Sequence, residues 1–343
     1  MATTEYLTNN SVRRSWYLYD WANSAFSTTV ITLFLGPYLT SIAESAADAS
    51  GLINLWGISM RPGSLFPYVI SFSVFAQVFV LPIVGAIADR IQSRNGFLAI
   101  FAYLGAFSTI CLYFVKDQRF ALGAFLLIVA NISFGAALVV ANSYIPDLAS
   151  PDKRDAVSSR GWASGYAGGG LLLLLNLYLY SSFESFGITE AEAVRISLTS
   201  AGIWWALFTI FTVRGLRSLN RKVGIVGKDA VTVGFQELKQ TLKDLRKYPQ
   251  TLKFLIAYLF YNDGIQTVIA ISGTYAILEL KLEQLSLVFA IVIVQITALI
   301  GSLILGKIAE KYGTKKTILI SLDRKSTRLN SSHVSESRMP SSA

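Results

Sequence analysis

Long apolar runs alternate along the chain with short polar stretches. Eight runs stand out, at roughly 16–40, 66–88, 96–115, 120–143, 157–181, 195–213, 251–278 and 286–305. A ninth begins near Thr317. Runs of about 18 to 25 residues are long enough for a helix to cross a ~30 Å hydrocarbon core. Backbone polar groups left unpaired in lipid are costly, so such runs are expected to be helical. Segment 1–15 is polar, and no small-residue cleavage site follows a short apolar core. The first run is therefore expected to persist as a membrane helix rather than a cleaved signal.

Polar residues inside these runs are not scattered. Asp20, Asn23, Ser24, Ser27 and Thr28 recur at helical spacing and share one face of span one. A carboxylate within a membrane helix costs about 2.5–3.5 kcal/mol at the centre and less near the ends. The stripe is thus expected to line a water-accessible cavity or to meet another helix. Span seven repeats the theme with Asn262, Asp263, Gln266 and Thr267. Asp263 falls about 15 Å from the end of its run, near mid-membrane. In span five, Gly161, Gly165 and Gly169 recur every four residues, which predicts a flat face for close helix packing. Asn131 and Asn142 in span four either face a cavity or make interhelical hydrogen bonds.

One short pattern occurs twice. Gly85-Ala86-Ile87-Ala88-Asp89-Arg90, continuing to Arg94, closes span two, and Gly306-Lys307-Ile308-Ala309-Glu310-Lys311 closes span eight. Each reads as a turn into a short basic loop. The repetition predicts two similar halves, as in transporters built from internal repeats. Spans one and seven then head the two halves, and the central cavity is expected between them. The organisation predicted is a cytoplasmic N-terminus (1–15), a six-helix bundle (16–213), a basic cytoplasmic connector (214–249) and a partial second bundle (250–322). Within the connector, Phe235, Leu238, Leu242 and Leu245 alternate with Lys239, Lys243, Arg246 and Lys247. This reads as a cationic amphipathic helix on the membrane surface or under the bundle.

Composition agrees with the hydropathy pattern: 53% hydrophobic residues and only 15% charged. The net charge of +9 raises the possibility of nucleic acid, but its distribution argues otherwise. With the N-terminus inside, the inner loops carry 20 Lys/Arg and the outer loops 5, which is a topology signal. Cys111 is the single cysteine and lies inside span three, so no disulfide framework or thiolate metal cluster is expected. Residues 323–343 break the pattern abruptly. Asp323–His333 back-translates to a common short-read sequencing adapter, and the segment reads as a non-native artefact. The sole histidine, His333, falls within it, so no histidine relay or metal site is expected in the rest. No phosphate-binding Gly-Lys-Ser/Thr loop is present either, which argues against direct ATP use.

The repeated turn resembles the signature loop of the major facilitator superfamily. By that resemblance Gly85, Asp89, Arg90 and Arg94, with Gly306, Glu310 and Lys311 as the second copy, form a charge latch on the cytoplasmic side. Gln92 and Ser93 depart from the family pattern. The strings Tyr19-Asp20-Trp21-Ala22-Asn23-Ser24-Ala25-Phe26, Gly165-Tyr166 and Tyr261-Asn262-Asp263-Gly264 resemble the vacuole-effluxer branch of that superfamily. The resemblance covers about residues 13–322 and implies an all-α polytopic membrane protein, a major-facilitator-type bundle cut off after about eight helices. It implies a secondary transporter working by alternating access, moving a small polar solute, with outward movement of amino acids as one option. The compact chain favours a bacterial inner membrane. Asp20, Asn23, Ser24, Ser27, Asn142, Asn262, Asp263 and Gln266 are the substrate or coupling candidates, and proton coupling through Asp20 and Asp263 is open. The expected partners are membrane lipid and a small solute; no cofactor, metal or nucleic acid is expected, and the protein is expected to be monomeric and not an enzyme. A non-transporting scaffold or sensor, or a lipid-handling protein, are the alternative readings.

Overall fold

The computed structural model describes residues 10–219, 236, 239–240, 243–245, 247–319 and 321. Segment 323–343 and connector residues Phe235, Leu238, Leu242 and Arg246 lie outside the described residues; Lys239, Lys243 and Leu245 are helical.

Eight long helices account for most of the described chain. They are α1 (Asn10–Ser45), α2 (Leu65–Ala88), α3 (Arg94–Cys111), α4 (Phe120–Asn142), α5 (Arg154–Ser181), α6 (Glu190–Gly215), α7 (Pro249–Leu278) and α8 (Gln284–Tyr312). Seven are long and apolar enough to cross a membrane. The exception, α5, has the length at 28 residues, but its first half is rich in Gly, Ser, Asp and Arg. It can be less apolar because it packs between α1 and α8 rather than facing outward. Among the other neighbours are α1 with α6 and α7, α3 with α4 and α6, and α2 with α4.

The helix ends follow local chemistry. Thr189 caps α6: its hydroxyl accepts from the Glu192 N–H at 3.2 Å, and Glu192 accepts from the Thr189 N–H at 3.1 Å. Pro249 opens α7 at the position where its missing N–H is harmless. The α8 helix runs through the whole second copy of the repeated pattern and stops at Gly313, whose φ is +89°. The expected turn at 306–311 is therefore helix, because no residue before Gly313 breaks it and Lys311 suits the negative end of the helix.

Two elements lie outside the periodic pattern. Ile53–Leu55 and Ile58–Met60 form an antiparallel hairpin between α1 and α2. Its two central residues, Trp56 and Gly57, have φ of +50° and +92°, as a type I′ turn requires. Within α1, Phe26–Phe34 is a π-helix. The Leu35 N–H bonds back five residues to Val30, and the Thr32 hydroxyl donates to the Ser27 carbonyl at 2.9 Å. Pro37 lies three residues beyond Phe34; its ring would clash with the carbonyl four residues back, at Leu33, so the wider winding fits the sequence.

The helices define two faces. The starts of α1, α3 and α5, and the ends of α4, α6 and α8, share one, here called the basic face. Arg13 Nε donates to the Leu148 carbonyl there at 2.9 Å, Arg94 reaches Ser143 and Leu219, and Thr314 reaches Asp155. On the opposite face the Tyr38 hydroxyl, late in α1, donates to the Val115 carbonyl at 2.7 Å, and Arg195 stacks on Tyr113. The core is aromatic at its centre, where Phe26, Phe134 and Trp205 join α1, α4 and α6 with ring centroids 5.4–6.1 Å apart.

Candidate functional site

The polar stripe of α1 lies against the glycines of α5. The two helices run parallel, and four-residue steps on one match four-residue steps on the other. Asp20 sits at Gly161, Ser24 at Gly165 and Thr28 at Gly169. A Cβ at position 161 would collide with Asp20 Oδ2 and lie 2.7 Å from the Trp16 ring. At 165 it would lie 2.5 Å from Ser24 Oγ, and at 169, 2.9 Å from Thr28 Oγ1. Gly168 is the least yielding of these positions, because there the obstacle is backbone: the Trp21 carbonyl at 2.6 Å. The Ser164 hydroxyl adds a hydrogen bond to the Tyr17 carbonyl at 3.0 Å. Small residues thus let polar side chains of α1 enter a helix seam instead of meeting lipid.

Asn23 and Ser27 complete the stripe. Asn23 is buried and Ser27 half-buried; the Ser27 hydroxyl bonds its own helix at the Ser24 carbonyl, 3.2 Å away. The Nδ2 of Asn23, the Tyr19 hydroxyl and the Trp205 Nε1 are buried together here, with Asn23 beside both Asp20 and Tyr19, and Trp205 beside Tyr19. Asp20 has no ion-pair partner among the described residues.

The seam extends to α8 through a residue absent from the sequence expectations. Gln295 Nε2 donates to Thr28 Oγ1 at 2.9 Å, and both side chains are buried. Gln295 is the one amide within an otherwise apolar stretch of α8, and a polar group at membrane depth is the signal that marks it.

The α7 helix meets α1 elsewhere. Gly36 of α1 packs under Thr274, and Gly273 of α7 sits on the Thr32 carbonyl, so the two backbones nearly touch beside the π-helix. Asn262, Asp263, Gln266 and Thr267 lie further along α7, nearer the basic face. Asn262 is half-buried, and the other three are exposed. The structure does not bring them to the α1 stripe. A cavity of about 450 Å³ opens instead between α5, α7 and α8, lined by Asp155, Ser159, Trp162, Tyr261 and Thr317 among others.

Span four's amides separate. Asn131 is buried and ties α4 to α2: its Nδ2 donates to Ser73 Oγ at 2.7 Å, and its carbonyl accepts from Gln77 at 3.0 Å. Asn142 is exposed at the end of α4.

On the basic face, Arg94 is the hub of the first repeated motif. It is buried, pairs with Asp147, donates to the carbonyls of Ser143 at 3.0 Å and Leu219 at 3.2 Å, and lies 4.2 Å from the centre of the Tyr144 ring. It joins the starts and ends of α3, α4 and α6 within the first six helices. Asp89 and Arg90 are exposed, and a Cβ on Gly85 would make only ordinary contact with Val139 at 3.4 Å. In the second copy, Gly306 packs on Ser159 of α5, where a Cβ would lie 2.6 Å away. Glu310 and Lys311 are exposed, with Lys311 5.3 Å from the Tyr312 ring. Just beyond, the Thr314 hydroxyl donates to the Asp155 carboxylate, a second tie between α8 and α5. Among the described residues no group of three or more His, Cys, Asp or Glu is placed to hold a metal.

Comparison with known proteins fits this arrangement. A family model described as vacuole effluxer Atg22 like matches residues 8–322. The uncharacterized MFS-type transporter YxiO of Bacillus subtilis is 31% identical over 309 residues, covering 89% of this chain and 69% of the relative. Autophagy-related protein 22 of Yarrowia lipolytica is 26% identical, with 73% of this chain and 55% of the relative covered. The same-named protein of Saccharomyces cerevisiae is 23% identical, with 87% and 67% covered. The chain thus spans 55–69% of the length of these relatives. The xylose transporter XylE from E. coli, in a partially occluded inward-open conformation, superposes with a TM-score of 0.60 over 90% of this chain and 72% of its own. At 15% identity that likeness concerns the fold alone. The helical bundle, the polar seams within it and the family match lead to one conclusion: the chain is a multi-pass membrane protein of major-facilitator fold and belongs to the Atg22-like vacuole effluxer family.

Proposed function

We propose that the chain is the larger part of a secondary transporter that works by alternating access, with the α1–α5–α8 seam on its solute path. The observation that carries this reading is the continuous polar file Asp20, Ser24, Thr28 and Gln295, which runs into the bundle from the basic-face half of α1. A carboxylate, two hydroxyls and an amide kept inside a membrane bundle are costly unless they serve a polar solute or an ion. Asn23 and Ser27 flank the file, while Asn262, Asp263 and Gln266 on α7 form a second polar group apart from it, toward the basic face.

The uncharged hydroxyls and amides suit a small polar or zwitterionic solute, and amino acids are the class we favour. Asp20 and Asp263 are the two carboxylates able to carry a coupling proton. The 20:5 excess of Lys/Arg puts the basic face, the N-terminus and the α6–α7 connector in the cytoplasm, and a bacterial inner membrane fits the B. subtilis relative. The Gly306–Ser159 and Asp155–Thr314 contacts then close the cytoplasmic end between α5 and α8, and the Gly36–Thr274 contact closes the outer end.

The test is flux through the full-length gene product in proteoliposomes under an imposed pH gradient. Asp263→Asn should abolish pH-driven amino-acid flux while leaving exchange of unlabelled for labelled solute intact. Unchanged pH-driven flux removes Asp263 from coupling.

A further inference from the structure

At the basic-face end of α1, a second cavity of about 240 Å³ opens between α1 and the start of α5. Its lining is Asn10, Arg13, Arg14, Tyr17 and Arg160. Three guanidinium groups share it, and no carboxylate lines it among the described residues. The acids near this end are turned elsewhere: Asp147 pairs with Arg94, Asp155 accepts from Thr314, and Asp20 lies against Gly161. None of the three arginines has an ion-pair partner among the described residues.

Two details separate this cluster from ordinary surface charge. Arg13 is fixed by its Nε–H bond to the Leu148 carbonyl at 2.9 Å, which holds its planar head at the rim. The Tyr17 hydroxyl is buried and has no partner among the described residues, although its residue lines the cavity. Clustered like charges repel, and a buried hydroxyl without a partner is costly, so both features call for an acceptor in the same place. Guanidinium groups engage tetrahedral oxyanions in paired hydrogen bonds, and a phenol can donate a further one. The volume is below the ~300–1,000 Å³ of drug-sized ligand sites, which favours a single phosphate or headgroup over a nucleotide. Because α1 crosses the membrane, its first turns lie at headgroup depth, where both lipid phosphates and soluble anions can reach them.

We propose that Arg13, Arg14, Arg160 and Tyr17 form a binding site for a phosphoryl anion, either the phosphate of an anionic lipid headgroup or free inorganic phosphate, which pins the start of α1 to the start of α5. The site is separate from the solute seam and does not depend on what that seam carries.

The experiment compares the purified chain with Arg14→Ala/Arg160→Ala, a pair of exposed residues whose loss leaves the core untouched. Native mass spectrometry measures retention of phosphatidylglycerol against phosphatidylcholine, and thermal unfolding measures protection by inorganic phosphate against chloride at equal ionic strength. Preferential retention of phosphatidylglycerol, reduced about tenfold in the double variant, identifies a lipid site. Protection by phosphate, lost in the double variant and without lipid preference, identifies a soluble-anion site. Equal retention of both lipids with no advantage of phosphate over chloride overturns the proposal, as does any preference that survives in the double variant. If the double variant does not fold, the wild-type arms still decide: no preference for either anion is sufficient to reject the site. Lys116→Ala/Arg119→Ala, on the opposite face, is the charge-matched control.

Discussion

Thr28 of α1 and Gln295 of α8 share a hydrogen bond of 2.9 Å over Gly169 of α5. Three helices meet at this point, and a side chain at position 169 would press on both partners of the bond. The bond links the first six helices to the eighth at depth, away from the charged loops. Interhelical hydrogen bonds of this kind contribute on average only about 0.6 kcal/mol in membranes. Gln295→Leu should therefore cost little stability, within about 1.7 kcal/mol. Its effect on flux should be large if the seam is the solute path. A double-mutant cycle with Thr28→Val, read by thermal unfolding in detergent, gives the coupling directly. Loss of stability well beyond that range would make Gln295 a structural pin rather than part of a path.

Glycine positions rank by what their missing Cβ would strike. At Gly168 the obstacle is the Trp21 carbonyl, which cannot move without shifting α1. Gly168→Ala should destabilise by about 1–3 kcal/mol. At Gly85 the nearest atom is 3.4 Å away, and Gly85→Ala should change stability little or raise it slightly. Thermal unfolding of the two variants side by side checks the ranking. Equal tolerance of both would mean that α1 and α5 are less closely packed than described.

Arg94 makes contacts that a lysine cannot reproduce. Its fork serves Asp147 and two carbonyls while its plane covers Tyr144. Arg94→Lys should recover little of the stability lost in Arg94→Ala, because a point charge on a flexible stem replaces neither the fork nor the stack. The expected loss in either variant is roughly 1–3 kcal/mol, since Asp147 remains partly hydrated. Full rescue by lysine, measured as recovered thermal stability, would reduce Arg94 to a simple charge.

The hairpin tip holds a large side chain in a left-handed conformation: Trp56 has φ +50° and is exposed. Asparagine tolerates that region better and leads naturally into Gly57. Trp56→Asn should slow amide exchange across the Asn54–Ser59 pairing if the tryptophan makes no other contact. Faster exchange would show that the indole is held by something beyond the hairpin, such as the membrane interface.

The eight helices were legible because each carries a long apolar run, a pattern that survives without any tertiary information. Exact ends were not: α1 extends from 16–40 to Asn10–Ser45, since its polar first turns are anchored by contacts such as Arg13 to Leu148. The π-helix left no periodic trace, because it shifts hydrogen bonds by one residue without changing composition. Short strands flanking Trp56-Gly57 are too brief for an alternation signal. Polar stripes on α1 and α7 were visible as stripes, but their partners were not. Asp20 and Ser24 meet glycines 141 residues away, and Arg94 meets Asp147 across a separate helix. Sequence spacing places residues on a face; which helix covers that face is settled only by packing.

Counterflow of labelled amino acids into proteoliposomes bearing the full-length gene product tests the central claim most directly, with Asp20→Asn as the comparison. A transporter with its solute path along the α1–α5–α8 seam should show saturable uptake that Asp20→Asn reduces at least about tenfold, the rate effect of losing ~1.4 kcal/mol at the rate-limiting step. Uptake no greater than in empty liposomes across the amino-acid panel, or uptake that Asp20→Asn leaves unchanged, would contradict it.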